Sequence, residues 1–195
     1  MKEKFLQKRE DAKLNGEPIL RDKSLELLVK IATENNCTRI LEVGTNVGLS
    51  GVALLLSNPS ARLTGIEINE EKAEIAKNNY KCFGVDNRAQ MFCGDATEII
   101  PLLSGEYDLI FLDGPKGHYA EYLPNLLSNL SVGGIIFADN VLFRGYVNGK
   151  VKTPHKFNTI NNSMKRYLTA VSTDERLKTE IIDLEDGVSI TKRIK

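Results

Sequence analysis

Short apolar runs recur along the chain at Arg39–Val43, Arg62–Ile68, Arg88–Cys93, Tyr107–Asp113 and Gly134–Asp139. Each is apolar at most positions, the pattern of a strand covered on both faces rather than one with a solvated side. Between them lie stretches of helical character, about 48–57, 69–83, 96–103 and 117–130. Asn69 followed by Glu70 and Glu71 marks one helix start, because acids favour the first turn. Strand–helix alternation of this kind predicts an open parallel sheet with helices on both faces.

The two ends of the chain break the rhythm. Residues 2–14 read as a polar amphipathic helix ending near Asn15-Gly16, and Pro18 separates it from a second helix over about 22–36 that Asp22 could cap. After Asp139 a polar loop runs to about 153 and a helix spans about 156–172. Two last strands, about 178–184 and 187–193, meet at Asp186-Gly187, a hairpin signal. The expectation is a single α/β domain over 1–195, its first 36 residues carrying two N-terminal helices. The sheet should have seven strands, five parallel and closed by an antiparallel C-terminal hairpin.

Composition narrows the class. At 195 residues with 42% hydrophobic content, the chain can bury one continuous core. The 26 basic and 26 acidic residues balance, so net charge selects no partner. Cys37, Cys82 and Cys93 are odd in number and widely spaced, which argues against a disulfide framework or a zinc site. Neither a signal-peptide core nor an apolar run of membrane length is present, and a cytoplasmic location with no membrane partner is expected.

In an open α/β sheet, ligands bind beyond the carboxyl ends of the strands. The first such end here is Leu41-Glu42-Val43-Gly44-Thr45-Asn46-Val47-Gly48-Leu49-Ser50. Gly44 and Gly48 allow a tight turn and a close backbone approach, but the dinucleotide fingerprint G-x-G-x-x-G is absent. Glu67 ends the next strand, where an acid can accept from both ribose hydroxyls or simply stand in solvent. Asp95 suits an adenine edge or caps its own helix, and Ser50 is open to a ligand carboxylate or to a cap. Together these positions fit a nucleoside without pyrophosphate. S-adenosylmethionine (SAM) is such a ligand and NAD is not.

Two further strand ends, Phe111-Leu112-Asp113-Gly114-Pro115-Lys116 and Phe137-Ala138-Asp139-Asn140, place Asp113, Asp139 and Asn140 at neighbouring tips. Oxygen donors without Cys or His favour Mg²⁺, with Mn²⁺ or Ca²⁺ as alternatives. The plain alternative is that these residues only turn the chain. His118 and His155 read as packing, surface or RNA-contact residues.

Leu-Glu-Val-Gly-x-x-x-Gly-x-Ser, Ile-Glu, Gly-Asp-Ala, Leu-Asp-x-x-Lys and Ala-Asp-Asn-Val stand here in the order and spacing of one family. From about Pro18 onward the chain resembles the cation-dependent O-methyltransferases, the group that includes catechol and caffeoyl-CoA methyltransferases. Asp139–Gly145 and Glu185–Ile190 look most like the bacterial tRNA 5-hydroxyuridine methyltransferases. The resemblance implies a Rossmann-like fold and Mg²⁺ held by Asp113, Asp139 and Asn140. It implies SAM contacts at Leu20, Gly44, Ser50, Glu67, Asp95 and Asp113, with Lys116 as the general base. A homodimer follows from the family's habit. The chain departs from the catechol enzymes in lacking a clear late acid, and from the plant enzymes in lacking their substrate-recognition insertion.

Both substrate types present two adjacent oxygens to a cation. From Val141 to Thr173 no Asp or Glu occurs, while Arg144, Lys150, Lys152, Lys156, Lys165 and Arg166 do. A basic stretch directly after the expected cation site suits a phosphate backbone, although a solvated loop and helix would look the same. The sequence reading therefore favours tRNA as partner, with methylation at the 5-oxygen of 5-hydroxyuridine in the anticodon loop. A catechol-like small molecule is the alternative, and a non-catalytic SAM- or RNA-binding module the second alternative.

Overall fold

A computed structural model describes all residues from Met1 to Lys195. Two helices, α1 (Lys2–Leu14) and α2 (Asp22–Glu34), precede the alternating region. That region runs β1 (Arg39–Val43), α3 (Leu49–Ser57), β2 (Arg62–Glu67), α4 (Glu70–Cys82), β3 (Ala89–Cys93) and α5 (Ala96–Ile99). It continues through β4 (Tyr107–Leu112), α6 (Tyr119–Asn129), β5 (Leu130–Asp139), α7 (Asn158–Thr173), β6 (Leu177–Ile182) and β7 (Val188–Arg193). The strand order is β3-β2-β1-β4-β5-β7-β6, parallel through β5 and antiparallel in the last two pairings. The seven-stranded architecture read from the apolar runs is the one observed. No helix is long and apolar enough to cross a membrane.

Side chains alternate across each strand, so the sheet divides the core in two. Ile40, Leu63, Leu109 and Phe137 pack with α2 and α3 on one face, while Leu41, Val43, Ile66, Ile110 and Leu112 pack with α6 and α7 on the other. Burial on both faces explains why the strands read as unbroken apolar runs.

Three local expectations need correction. Asp22 does not cap α2; its carboxylate takes Arg9 at 2.7 Å and Lys13 at 3.1 Å. The cap comes from far along the chain, since Glu185 Oε2 accepts from the Ser24 N–H at 3.1 Å and the Ser24 hydroxyl at 2.5 Å. The C-terminal hairpin turns over 183–187 rather than at Asp186-Gly187 alone, with Glu185 and Gly187 both at positive φ. The helix expected over 96–103 is one turn of α5 continued by a 3-10 turn at Ile100–Leu102.

Candidate active site

β1 and β4 are neighbours in the sheet although α3, β2, α4, β3 and α5 lie between them in sequence. The chain therefore leaves them in opposite directions, and a crevice opens beyond their carboxyl ends. The seam is tight: the Asp113 N–H donates to the Val43 carbonyl at 3.0 Å. Gly44 sits at φ +88, and a Cβ there would lie 2.7 Å from the Asp113 carbonyl oxygen and from Gly114 backbone atoms. Only glycine fits this crossing.

A cleft of about 740 Å³ lies above the seam and is lined by Leu20, Gly44, Glu67, Asp95, Asp113, Lys116, Asp139 and Asn140. Eight of the nine residues singled out in the sequence are thus brought to one concavity. The exception is Ser50, whose hydroxyl donates to Glu42 Oε1 in a short hydrogen bond. Ser50 instead lines a small pocket with Leu20, Asn46 and Asp113 beneath the glycine loop.

Glu67 is held by two backbone donors, the Asn46 N–H to Oε2 at 2.7 Å and the Asn69 N–H to Oε1 at 2.9 Å. Each oxygen keeps a free lone pair for a ligand hydroxyl. Asn46 makes this contact from the left-handed region, at φ +49, where asparagine is among the few tolerated side chains. Asp95 does cap its own helix: Oδ1 accepts from the Thr97 hydroxyl at 2.7 Å and the Thr97 N–H at 2.8 Å. Those bonds, the hydroxyl's foremost, hold its pKa below the ordinary value. The cap and a place in the cleft wall coexist, because Oδ2 remains free of that contact.

At the other end of the cleft, burial and then the charge of Asp139 push the Asp113 carboxyl up to about 7, with Lys116 opposing. Burial likewise pushes Asp139 up to about 6, against the Asn140 N–H and the charges of Lys116 and Arg21. Asp139 Oδ1 is buried with no hydrogen-bond partner. Asn140 follows at φ +56. Lys116 Nζ is 4.0 Å from Asp113 Oδ1, a single positive charge beside two carboxyls.

Two crowded carboxylates, one with an orphaned oxygen, are electrostatically unbalanced, and a hard cation is what such a donor set accommodates. No group of three His, Cys, Asp or Glu side chains gathers anywhere in the chain, and the oxygen-bearing side chains in this part of the cleft wall are two carboxylates and the Asn140 amide. The residues present fit a divalent cation.

Several contributors escaped the sequence reading. Tyr119 is fully buried under the two acidic strand ends and donates to the Leu112 carbonyl at 3.0 Å. His118 and Tyr122 stack at 5.8 Å in the cleft wall, and the His118 ring pairs with Glu121 at 2.7 Å. The Gly117-His118-Tyr119 run was the available signal, but only a fold places it under β4 and β5. Glu42 is completely buried and pushed up to about 8 by desolvation, despite the Ser50 hydrogen bond. Its orientation, away from the cleft, has no mark in the sequence.

The segment from Pro18 to Arg21 forms the remaining wall. It is tied down by an ion pair between Glu17 and Lys72 of α4, both largely shielded from solvent, and by Arg9, which donates to the Leu20 carbonyl at 2.6 Å. Glu185 is the acid nearest this end from the C-terminal hairpin, and its Oε2 is engaged by Ser24.

The O-methyltransferase family profile matches residues 11–194. A caffeoyl-CoA O-methyltransferase of Medicago sativa is 29% identical over 180 residues, covering 88% of this chain and 72% of the relative. Tapetum-specific methyltransferase 1 of Arabidopsis thaliana is 29% identical over 185 residues, 92% of this chain and 78% of that protein. Among solved structures, an S-adenosylhomocysteine-bound methyltransferase of Podospora anserina superposes with a TM-score of 0.81 at 25% identity, covering 90% of this chain and 80% of the other. The O-methyltransferase TomG of Streptomyces achromogenes, in complex with SAM, shares the fold with a TM-score of 0.88 at 23% identity, covering 98% and 89%.

Proposed function

Because the chain belongs to the O-methyltransferase family, whose members take their methyl group from SAM, we propose that it methylates one of two adjacent oxygens on a catechol-like small molecule. The observation that carries this reading is the Asp113–Asp139 pair, the first half-buried and the second buried with an unpartnered oxygen, in the cleft that holds Glu67 and Asp95. Asp113, Asp139 and Asn140 would hold a divalent cation, which would supply Lewis-acid chemistry that makes a substrate hydroxyl easier to deprotonate. The names of the relatives point the same way, toward a phenolic acyl group rather than RNA.

The chain's own side chains do the rest. Glu67 accepts from the ribose hydroxyls, and Asp95 stands where the base would lie. Leu20 and the Gly44 backbone line the same cleft against the cofactor. The substrate oxygen gives its electron pair to the methyl carbon, the carbon–sulfur bond breaks toward sulfur, and the proton passes to the Lys116 amine once that amine has released its own proton.

A second reading rests on a specific surface. Phe143, Tyr146 and Phe157 pack ring against ring at 5.5–5.7 Å just beyond Asn140, and Arg144 and Lys156 lie over the Phe157 ring at 5.6 and 5.0 Å. Cations interleaved with aromatics also suit an exposed base and its phosphates, and they support tRNA 5-hydroxyuridine as substrate.

Labelled SAM with Mg²⁺ and either a caffeoyl ester or bulk tRNA separates the readings. Label on the phenol, lost with EDTA, is the expected result. Label on tRNA alone would install the second reading. Tight SAM binding without transfer to either would leave a binding module, and full activity in EDTA would reject the cation.

A further inference from the structure

At the opposite end of the sheet, away from the cleft, the amino ends of the strands carry a groove of about 330 Å³. Arg39 of β1 and Arg62 of β2 are register partners, so their Cα atoms lie about 5 Å apart, the strand spacing. Alternation puts both on the face that carries Leu41, Val43 and Ile66. The next polar pair on that face, Thr64 of β2 and Gln90 of β3, is also in register.

The groove exists because the element covering this face is short. α5 is four residues long and gives way to a 3-10 turn, and Arg39, Arg62 and Gln90 at the amino ends of β1, β2 and β3 are exposed. An apolar layer would be expected at such positions in a sheet with both faces packed. Arg39, Arg62, Thr64 and Gln90 stand there instead, beside Ser104 and the buried Tyr107.

Neither arginine is neutralised. No carboxylate lies within 4.0 Å of either guanidinium, and Arg39 hydrogen-bonds an acid only through its backbone N–H, to Asp108 at 3.0 Å. The Arg39 guanidinium carbon is instead 6.0 Å from the Tyr107 ring centre, which orients its donors. No acidic residue lines the groove. Arg88 behaves differently. Its guanidinium is spent on the carbonyls of Leu55, Asn58 and Ala61 at 2.8–3.0 Å, making a fixed wall. Two unneutralised cations rising from register-paired positions favour an anion joining them, and forked guanidiniums match phosphate oxygens.

We propose that this groove is a binding site for a small phosphorylated anion, separate from the methyl-transfer cleft, with Arg39 and Arg62 clamping a phosphoryl or diphosphoryl group and Thr64, Gln90 and Ser104 as neutral partners.

Titration calorimetry of the full chain with pyrophosphate at low ionic strength tests it, alongside the double variant Arg39→Gln/Arg62→Gln. The expected result is millimolar or tighter binding by the wild type, weakened at least tenfold in the double variant, with SAM affinity unchanged. Absence of pyrophosphate binding, or binding equal in the two proteins, would overturn the site. ATP and a short single-stranded RNA form further arms. Affinity for ATP that follows pyrophosphate supports a small-molecule site, whereas RNA binding lost in the double variant with none for pyrophosphate overturns it in favour of a nucleic-acid contact. Melting temperatures of both proteins confirm that the variant is folded.

Discussion

Lys116 Nζ stands 4.0 Å from Asp113 Oδ1, on the first residue of the turn that follows β4. The amine is thereby tethered beside Asp113 while remaining in the cleft wall. Lys116→Ala should keep SAM affinity and lose turnover by about 10²–10⁴-fold, the usual worth of a positioned acid–base group. Single-turnover transfer and equilibrium SAM binding, measured on the same preparation, check both halves. Wild-type turnover in the variant would remove Lys116 from the mechanism.

The carboxyls of Asp113 and Asp139 are raised to about 7 and about 6 from an ordinary value of 3.8. Between those limits the folded protein holds more protons than the unfolded chain, so metal-free stability falls as pH rises from about 4 to about 7. The loss should be on the order of a few kcal/mol for the coupled pair. Mg²⁺ held by the pair would stabilise the ionised forms and flatten the slope. Melting temperatures at pH 5 and pH 8, with and without Mg²⁺, measure it; identical slopes in both series would contradict a cation bound between these groups.

Glu42 makes the same argument without a metal. Its pKa is raised from 4.5 to about 8 by burial. Its Oε2 and the Tyr80 hydroxyl are both buried without partners, and both crowd Gly51. The acid is more protonated in the folded state between 4.5 and 8, so its contribution is lost as pH rises through that window. Glu42→Gln should abolish this part of the pH dependence and be the more stable protein at pH 9, by roughly 1–3 kcal/mol. Denaturant titrations at pH 6 and pH 9 give the answer, and a variant equally pH-sensitive would show Glu42 already ionised in the fold.

Gly44→Ala tests the seam between β1 and β4. The added Cβ meets backbone 2.7 Å away at a positive φ, so relief requires moving the loops apart. A loss of roughly 2–4 kcal/mol in stability is expected, from left-handed strain plus overpacking, together with weakened SAM binding. Unfolding curves and calorimetry check it; unchanged values for both would mean that the loops part freely.

The acidic strand ends were legible in the sequence for a physical reason. Buried parallel strands announce themselves as apolar runs, and whatever polar residue follows must lie at the sheet's carboxyl edge, where ligands bind. Asp113, Asp139, Asn140 and Glu67 all follow from that. Ser24 and Glu185 did not, because 161 residues separate the partners and Asp22 supplied a plausible local cap. Nor did Glu42 or Ser50: Leu-Glu-Val reads the same whether the acid faces ligand or core. The polar groove around Arg39 and Arg62 was hidden by the apparent length of α5, a distinction between one helical turn and two that apolar spacing does not resolve.

The Glu17–Lys72 ion pair binds the first twenty residues to the shape of the cleft. A fragment beginning at Asp22 would still contain every strand and every acidic tip, yet Pro18 to Arg21 would be gone and the cofactor would face water along one flank. Trimming the amino terminus to ease expression or crystallisation would therefore leave the pocket unfinished, and feeble SAM affinity in such a fragment would say nothing against the intact protein.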